Sequence, residues 1–319
     1  MTGPDAANPP RGPRPARPAG TPPRTVLVTG TSSGIGALTV RALARAGNSV
    51  YAGMRDLHGG DAQAAQQLRT EADSEGLDLQ AVDMDVTSQP SVERAVGRVM
   101  ADRGRLDVIV HNAGHMVLGP SEAFTPEEYA EVYDINVLGA QRLNRAALPH
   151  LRAQGSGLLI WVGSSSTRGG HTPFIAPYFA AKAALDSLAA DYATELVRFG
   201  IDTTIVVPGA FTSGTKHFDN AGTPQDQQRA AEYDARYGSL MDEIRPRLAA
   251  LAPADADVGD VAHEIARIVA LPDGHRPFRV HVDPNKNGSA VVSAVADRIR
   301  ADFFRRLGLD DLLPTDSSM

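Results

Sequence analysis

The sequence predicts an α/β fold: a doubly wound parallel sheet of about seven strands with helices on both faces. Three observations predict it. Short runs rich in Val, Ile and Leu recur along the chain and are apolar throughout, as strands buried on both faces must be. Stretches of helical periodicity separate them, so each strand passes through a crossover and returns parallel to the last. No repeat with a period of about 20 to 50 residues is visible, which sets solenoids and propellers aside.

The elements follow in order. Thr25 to Thr29 is short, β-branched and bounded by Gly30, and reads as the first strand. A helix from Ile35 to Ala46 stops at Gly47. Ser49 to Gly53, Leu79 to Val82 and Leu106 to His111 give the second, third and fourth strands, with helical segments between them. Leu158 to Val162 and Ile201 to Val207 are the fifth and sixth, and Arg279 to Val282 is a candidate seventh. The region from Phe211 to about Ala254 breaks the rhythm, polar first and then helical, with Thr223 as N-cap and Pro224 at the first helical position. An insertion after the sixth strand lies at the carboxyl edge of the sheet, where such folds bind ligands, so a substrate lid is expected there. Phe211, Phe218, Tyr233, Tyr237, Leu240 and Met241 make it partly apolar, compatible with steroids, polyketides, acyl groups or small ketones, and equally with plain packing onto the sheet. The tail from Ala290 to Leu313 reads as an amphipathic helix that caps the lid, docks on a neighbouring subunit, or does neither.

Composition narrows the function. Of 319 residues, 42% are hydrophobic and 22% charged, and the net charge is −7 with both signs dispersed, which argues against a nucleic-acid partner. There is no cysteine, so disulfides, thiolate catalysis and Cys-ligated zinc are out, and a cytoplasmic location is expected. No apolar run reaches the roughly 18 residues of a membrane span. Residues 1–24 carry eight prolines and four arginines and read as a disordered arm, followed by one domain over 25–285 and a helical tail over 286–319. A small-molecule substrate is the expected partner, and a homo-oligomer is compatible with everything above.

Thr29-Gly30-Thr31-Ser32-Ser33-Gly34-Ile35-Gly36 joins the first strand to the first helix. Glycines here let the backbone turn tightly and approach a pyrophosphate, while the helix N-terminus offers amide donors. The spacing resembles the Thr-Gly-x-x-x-Gly-x-Gly turn of the short-chain dehydrogenase/reductase family, in its shorter single-domain branch with a Rossmann-type sheet. The resemblance extends from about Thr25 to Pro284. It implies an oxidoreductase acting on CH–OH donors, with Gly30, Ser32, Ser33, Gly34, Ile35 and Gly36 holding a nicotinamide dinucleotide.

Cofactor choice is read from the end of the second strand. Members that prefer NAD carry Asp where Met54 stands, and Arg55 follows it. A guanidinium pairs with a 2′-phosphate that a carboxylate would repel, so NADP(H) is favoured. Ser33 stands where a second basic residue would reinforce that choice, which leaves NAD(H) open. The family's adenine contact corresponds to Asp85 and Val86, with Asp83 as a competing register, and its Asn-Ala-Gly corner to Asn112, Ala113 and Gly114.

Pro177 opens a helix running to about Phe199, in which Tyr178 and Lys182 lie four apart on one face. A free phenol has a pKa near 10 and is a poor base, and an adjacent ammonium lowers that value. By resemblance Tyr178 is the general acid/base, and Lys182 tunes it while holding the nicotinamide ribose. A serine must hydrogen-bond the substrate oxygen as charge develops. Counting from the fifth strand gives Ser164, whereas the family's thirteen-residue interval back from Tyr178 gives Ser165; the strand favours Ser164, and Ser166 reads as a loop residue. Asn136 resembles the family's helix asparagine, which holds a water linking the lysine to solvent. Pro208 and Gly209 match the turn after the sixth strand, with Ser213 at the nicotinamide carboxamide and Thr212 as its alternate. Among nine histidines, His111 and His115 flank the Asn-Ala-Gly corner on a strand and a loop, a poor geometry for zinc. Together these residues imply reversible reduction of a ketone or aldehyde. The alternatives are a non-catalytic NADP-binding redox sensor or scaffold on the same fold, and an epimerase or dehydratase of the extended branch.

Overall fold

The computed structural model describes residues 23–314. Residues 1–22 of the expected arm lie outside the described residues; Arg24, its last residue, is described and immediately precedes the first strand. Its carbonyl accepts from Ser49 N, and its guanidinium pairs with Asp273 at 2.7 Å.

Seven strands form one parallel sheet in the order β3-β2-β1-β4-β5-β6-β7. They are β1 (Thr25–Val28), β2 (Ser49–Met54), β3 (Leu79–Asp83), β4 (Val108–His111), β5 (Gly157–Val162), β6 (Ile201–Pro208) and β7 (Arg279–Val282). The order reverses between β1 and β4, and the crevice at their carboxyl ends is where open sheets bind ligands.

The pleat sorts each strand's side chains between two cores. Leu27, Ile109, Leu159, Trp161 and Ile205 face one way, onto α3 (Gln89–Arg103), α5 (Gly139–Gln154) and α6 (Ala176–Glu195). Val26, Val28, Val110, Leu158 and Ile160 face the other, onto α1 (Gly34–Arg45), α2 (Ala62–Glu75) and α9 (Gly259–Ala270). Both faces are covered, which explains why the strands read as unbroken apolar runs. Among the described residues no helix is long and apolar enough to cross a membrane.

The lid and tail depart from expectation in detail. The lid's helices are α7 (Gln227–Tyr237) and α8 (Leu240–Ala249), and α7 is capped by Asp226, whose carboxylate accepts from Arg229 N. Thr223 and Pro224 therefore precede the helix: Asp226 is the residue that satisfies an open amide of its first turn. In α6, Ala176 rather than Pro177 is the first residue, and Ile175 precedes it. The tail helix α10 (Ser289–Leu307) stops at Gly308, in the left-handed conformation, and a separate 3₁₀ turn covers Asp310–Leu312.

Candidate active site

The turn after β1 is built around glycines that cannot be replaced. Gly30 has φ +66°, and a Cβ there would sit 2.7 Å from Ala113 Cα; one on Gly36 would collide with the Gly30 carbonyl and the Asn112 amide. Asn112 fastens this corner by donating to the carbonyls of Thr29 and Gly30, each at 2.9 Å. The result is a close-packed cradle at the N-terminus of α1, suited to an anion.

A cavity of about 1070 Å³ runs from this cradle along the carboxyl edge of the sheet. It is large enough for a dinucleotide with a substrate beside it, being at the upper end of ligand-pocket sizes. Gly30, Ser32, Ser33, Gly34, Ile35 and Gly36 line it, as do Arg55, Asp85, Val86, Asn112, Ala113 and Gly114. Pro208 and Gly209 line it on the β6 side, and Ser164, Ser165, Tyr178 and Lys182 at the far end. Arg55 is exposed, and its guanidinium has no partner among the described residues, leaving its donors available. Asp85 and Asp83 are now separable: Asp85 lines the cavity, with one carboxylate oxygen occupied by Thr87, whereas Asp83 ends β3 and does not line it.

Helix α6 carries Tyr178 and Lys182 on one stripe, both buried. Asp186, four residues on, anchors that stripe through Arg168 at 2.8 Å and through Arg279, which also holds Asp297 of α10. Arg168 follows the serine turn directly, so one buried carboxylate joins the tyrosine's helix, the serine turn, β7 and the tail. The three serines separate by partner. The Ser164 hydroxyl lies 2.8 Å from Ser166 Oγ and is the serine that acts on the Tyr178 phenol. Ser165 instead accepts from Asn287 Nδ2 at 2.9 Å, tied to the segment leading into α10. The tail thus packs on the serine turn.

The electrostatics run against one expectation. Burial pushes the Tyr178 phenol above its ordinary value, and the nearby Ser164 hydroxyl only partly opposes this. Lys182 does not lower it here: its Nζ donates to the Val162 carbonyl at 2.9 Å and lies 5.8 Å from the tyrosine ring centroid. Burial also pushes the Lys182 ammonium down to about 8.

Asn136 lies in a π-helical turn, Asp134–Leu138, between α4 (Pro126–Tyr133) and α5. Such turns recur at functional sites. Its amide donates to the carbonyls of Val132 and His115, while its buried Oδ1 has no partner. A Cβ placed on Gly114 would lie 2.8 Å from that oxygen and 3.6 Å from Lys182 Nζ, so both atoms face the same small space. An orphaned acceptor beside an ammonium is a place for a water.

Ser213 is exposed and does not line the cavity, nor does Thr212, whose carbonyl accepts from Arg245. Thr215 and His217 line it instead. His111 is occupied with Asn144 at 2.9 Å, and among the described residues no cluster of three or more His, Asp or Glu is placed to hold a metal. His217 is the residue that sequence reasoning missed. Its ring meets Tyr178 edge-to-face at 5.2 Å, and no spacing motif marks it within a polar stretch of lid.

The family model of the short chain dehydrogenases matches residues 24–224. The chain belongs to that family. It is an oxidoreductase of the short-chain dehydrogenase family, acting on CH–OH donors, and the glycine cradle and cavity fit the nicotinamide dinucleotide that the family implies. An oxidoreductase of Methylorubrum extorquens is 33% identical over 235 residues, covering 73% of this chain and 92% of that one. Human 17-beta-hydroxysteroid dehydrogenase type 1 is 39% identical over 189 residues, but the match spans 58% of this chain and only 56% of the human enzyme. Among solved structures, a gluconate 5-dehydrogenase from Burkholderia cenocepacia in complex with NADP and tartrate superimposes with a TM-score of 0.63 at 27% identity, covering 82% of this chain and 94% of that one. The family match ends before α7, so the lid helices, β7 and α10 are where this short-chain dehydrogenase has to be read from its own residues.

Proposed function

We propose that the chain is an NADP-dependent reductase that reversibly converts a ketone or aldehyde to an alcohol, with Tyr178 passing the proton. One observation carries this reading: the hydroxyls of Ser164 and Tyr178 line the same cavity as the glycine cradle, with Lys182 on the tyrosine's stripe. Two hydroxyls so placed can bind one carbonyl oxygen between them. NADPH, when bound, supplies the hydride to the carbonyl carbon.

The remaining chemistry belongs to the chain's own side chains. Ser164 and Tyr178 hold the oxygen as negative charge develops on it, and Tyr178 gives it a proton. A phenol kept protonated by burial is the form that reduction needs. After transfer, a water on Asn136 Oδ1 would link the Lys182 ammonium to solvent and provide the route for proton return. Arg55, unpaired at the end of β2, supports NADP over NAD because its forked donors suit a 2′-phosphate. Asp85 and Val86 would meet the adenine, and Asn112, Ala113 and Gly114 its ribose; Pro208 and Gly209 would border the nicotinamide. We assign residues 25–285 to one catalytic domain, with the lid over 211–254 and the tail over 286–319.

The test is Tyr178→Phe, with NADPH consumption followed against a panel of ketones and NADPH binding followed by fluorescence. Turnover should vanish while binding persists. Turnover retained in the variant would overturn the assignment.

A further inference from the structure

The lid brings one more polar group to the reacting end of the cavity. His217 is partly buried, and its ring lies 5.2 Å from that of Tyr178 at an interplanar angle of 68°. The surroundings of Tyr178 are apolar: Met116 and Ile175 are buried beside it, with Phe218, Leu118 and Ala221 packed against them. The His217 backbone amide is near Thr215 Oγ1 at 3.4 Å, but neither ring nitrogen has a hydrogen-bond partner among the described residues. Neither ring nitrogen is a buried unpartnered atom, so the ring's polar edge opens on the cavity, where a ligand can take the place of the water that meets it.

The charge state narrows which ligand. Burial pushes His217 down to about 4, and the charges of Lys182 and His115 act in the same direction. At neutral pH the ring is therefore uncharged, with one donor and one acceptor. That pair matches a hydroxyl or a carbonyl. A carboxylate, which needs donors only, is served worse.

We propose that His217 forms a polar subsite beside the reacting carbonyl and selects ketones that carry a hydroxyl or second carbonyl about one to three carbons away. The spacing follows from the ring separation. With about 1.5 Å per carbon–carbon bond and about 2.9 Å per hydrogen bond, an oxygen at that remove can reach the imidazole while the carbonyl stays on Ser164 and Tyr178. The subsite rests on the reductase reading above for what happens at the carbonyl, but binding at His217 can be measured without turnover.

The experiment compares octan-2-one, 4-hydroxyoctan-2-one and octane-2,4-dione in the wild type, His217→Phe and His217→Gln. Phenylalanine keeps an aromatic edge against Tyr178 and removes the hydrogen bond; glutamine keeps a donor and an acceptor. The wild type should favour the oxygenated ketones by about tenfold in kcat/KM, the worth of one good hydrogen bond. That ratio should fall to near one in His217→Phe, chiefly through KM, and survive in His217→Gln. Calorimetric titration of 4-hydroxyoctan-2-one and octan-2-one into the NADP⁺-loaded protein gives the same comparison without chemistry. Turnover or binding that does not discriminate among the three ketones, or a ratio unchanged in His217→Phe, overturns the subsite and leaves the reductase reading standing. If no ketone is reduced, the reductase reading fails, and tighter binding of the hydroxyketone that His217→Phe abolishes still establishes the subsite.

Discussion

Replacing Lys182 by methionine should stabilise the cofactor-free fold at neutral pH while removing a group that the proposed reaction uses. The magnitude follows from burial. Lys182 is 3% exposed, and its ammonium falls from an ordinary 10.5 to about 8 in the folded chain. At about 1.4 kcal/mol per pH unit, keeping the proton below pH 8 costs the fold about 3 kcal/mol. Methionine fills a similar volume without charge, but the Val162 carbonyl then loses a donor, at a cost of about 1 kcal/mol. The net gain is about 1 to 3 kcal/mol, equivalent to a Tm roughly 2 to 6 °C higher for a chain of this size. The sign with pH is fixed. Between pH 8 and 10.5 the unfolded lysine holds its proton while the folded one has lost it, so wild-type stability rises with pH there. The advantage of Lys182→Met should therefore be greatest below pH 8 and disappear by about pH 10.5. Urea denaturation at pH 7 and pH 10 measures both points, without NADP(H), whose binding would add its own stabilisation. A variant no more stable than wild type at pH 7, or an advantage that does not shrink by pH 10, would refute the reasoning.

Two other perturbations separate binding from architecture. Arg55→Glu should weaken NADPH in kcat/KM by about 10- to 100-fold, the range of one charge-assisted contact, and spare NADH; an unchanged NADPH to NADH ratio would show that Arg55 does not read the 2′-phosphate. Asp186→Asn leaves Arg168 and the buried Arg279 short of a carboxylate, with Asp297 as Arg279's remaining partner, and should cost about 3 kcal/mol of unfolding free energy, measured in urea. A loss under about 1 kcal/mol would mean that the network is not holding α6 to the tail.

The sheet was legible because both of its faces are buried. An unbroken apolar run as short as Leu158 to Val162, bounded by Gly157 and Gly163, reads as a strand covered on both sides, and all seven strands lie within a residue or two of where the sequence pattern puts them. The cradle was legible for a steric reason: a turn in which a Cβ on Gly36 would strike the Gly30 carbonyl needs glycine, and so declares itself in the sequence. The lid obeys neither constraint. Thr223-Pro224 has the composition of a helix start, but Asp226 has the carboxylate placed to take the amide of Arg229, and local preference yields to that bond. Ser213 likewise stands one type away from the family's threonine, yet the chain leaves β6 along a path that turns it outward and brings Thr215 in.

The serine turn shows what kind of information was missing. Counting from the strand and counting back from Tyr178 disagree by one residue, and no local property separates Ser164 from Ser165, since both are serines on a polar turn. What separates them is a partner distant in sequence: Asn287, at the start of the tail, takes Ser165, and Ser164 is the serine that acts on the phenol. The same holds for Tyr178 itself. Four-residue spacing puts a lysine on its face but does not say where the ammonium's hydrogen bonds go, and one of them goes to Val162. The tyrosine's proton affinity is therefore set by burial and by Ser164, so a serine selected by the tail decides how far the phenol is eased towards giving up its proton. On the proposed mechanism, the C-terminal segment beyond the family match then shapes the reacting end of the cavity as the tyrosine's own helix does.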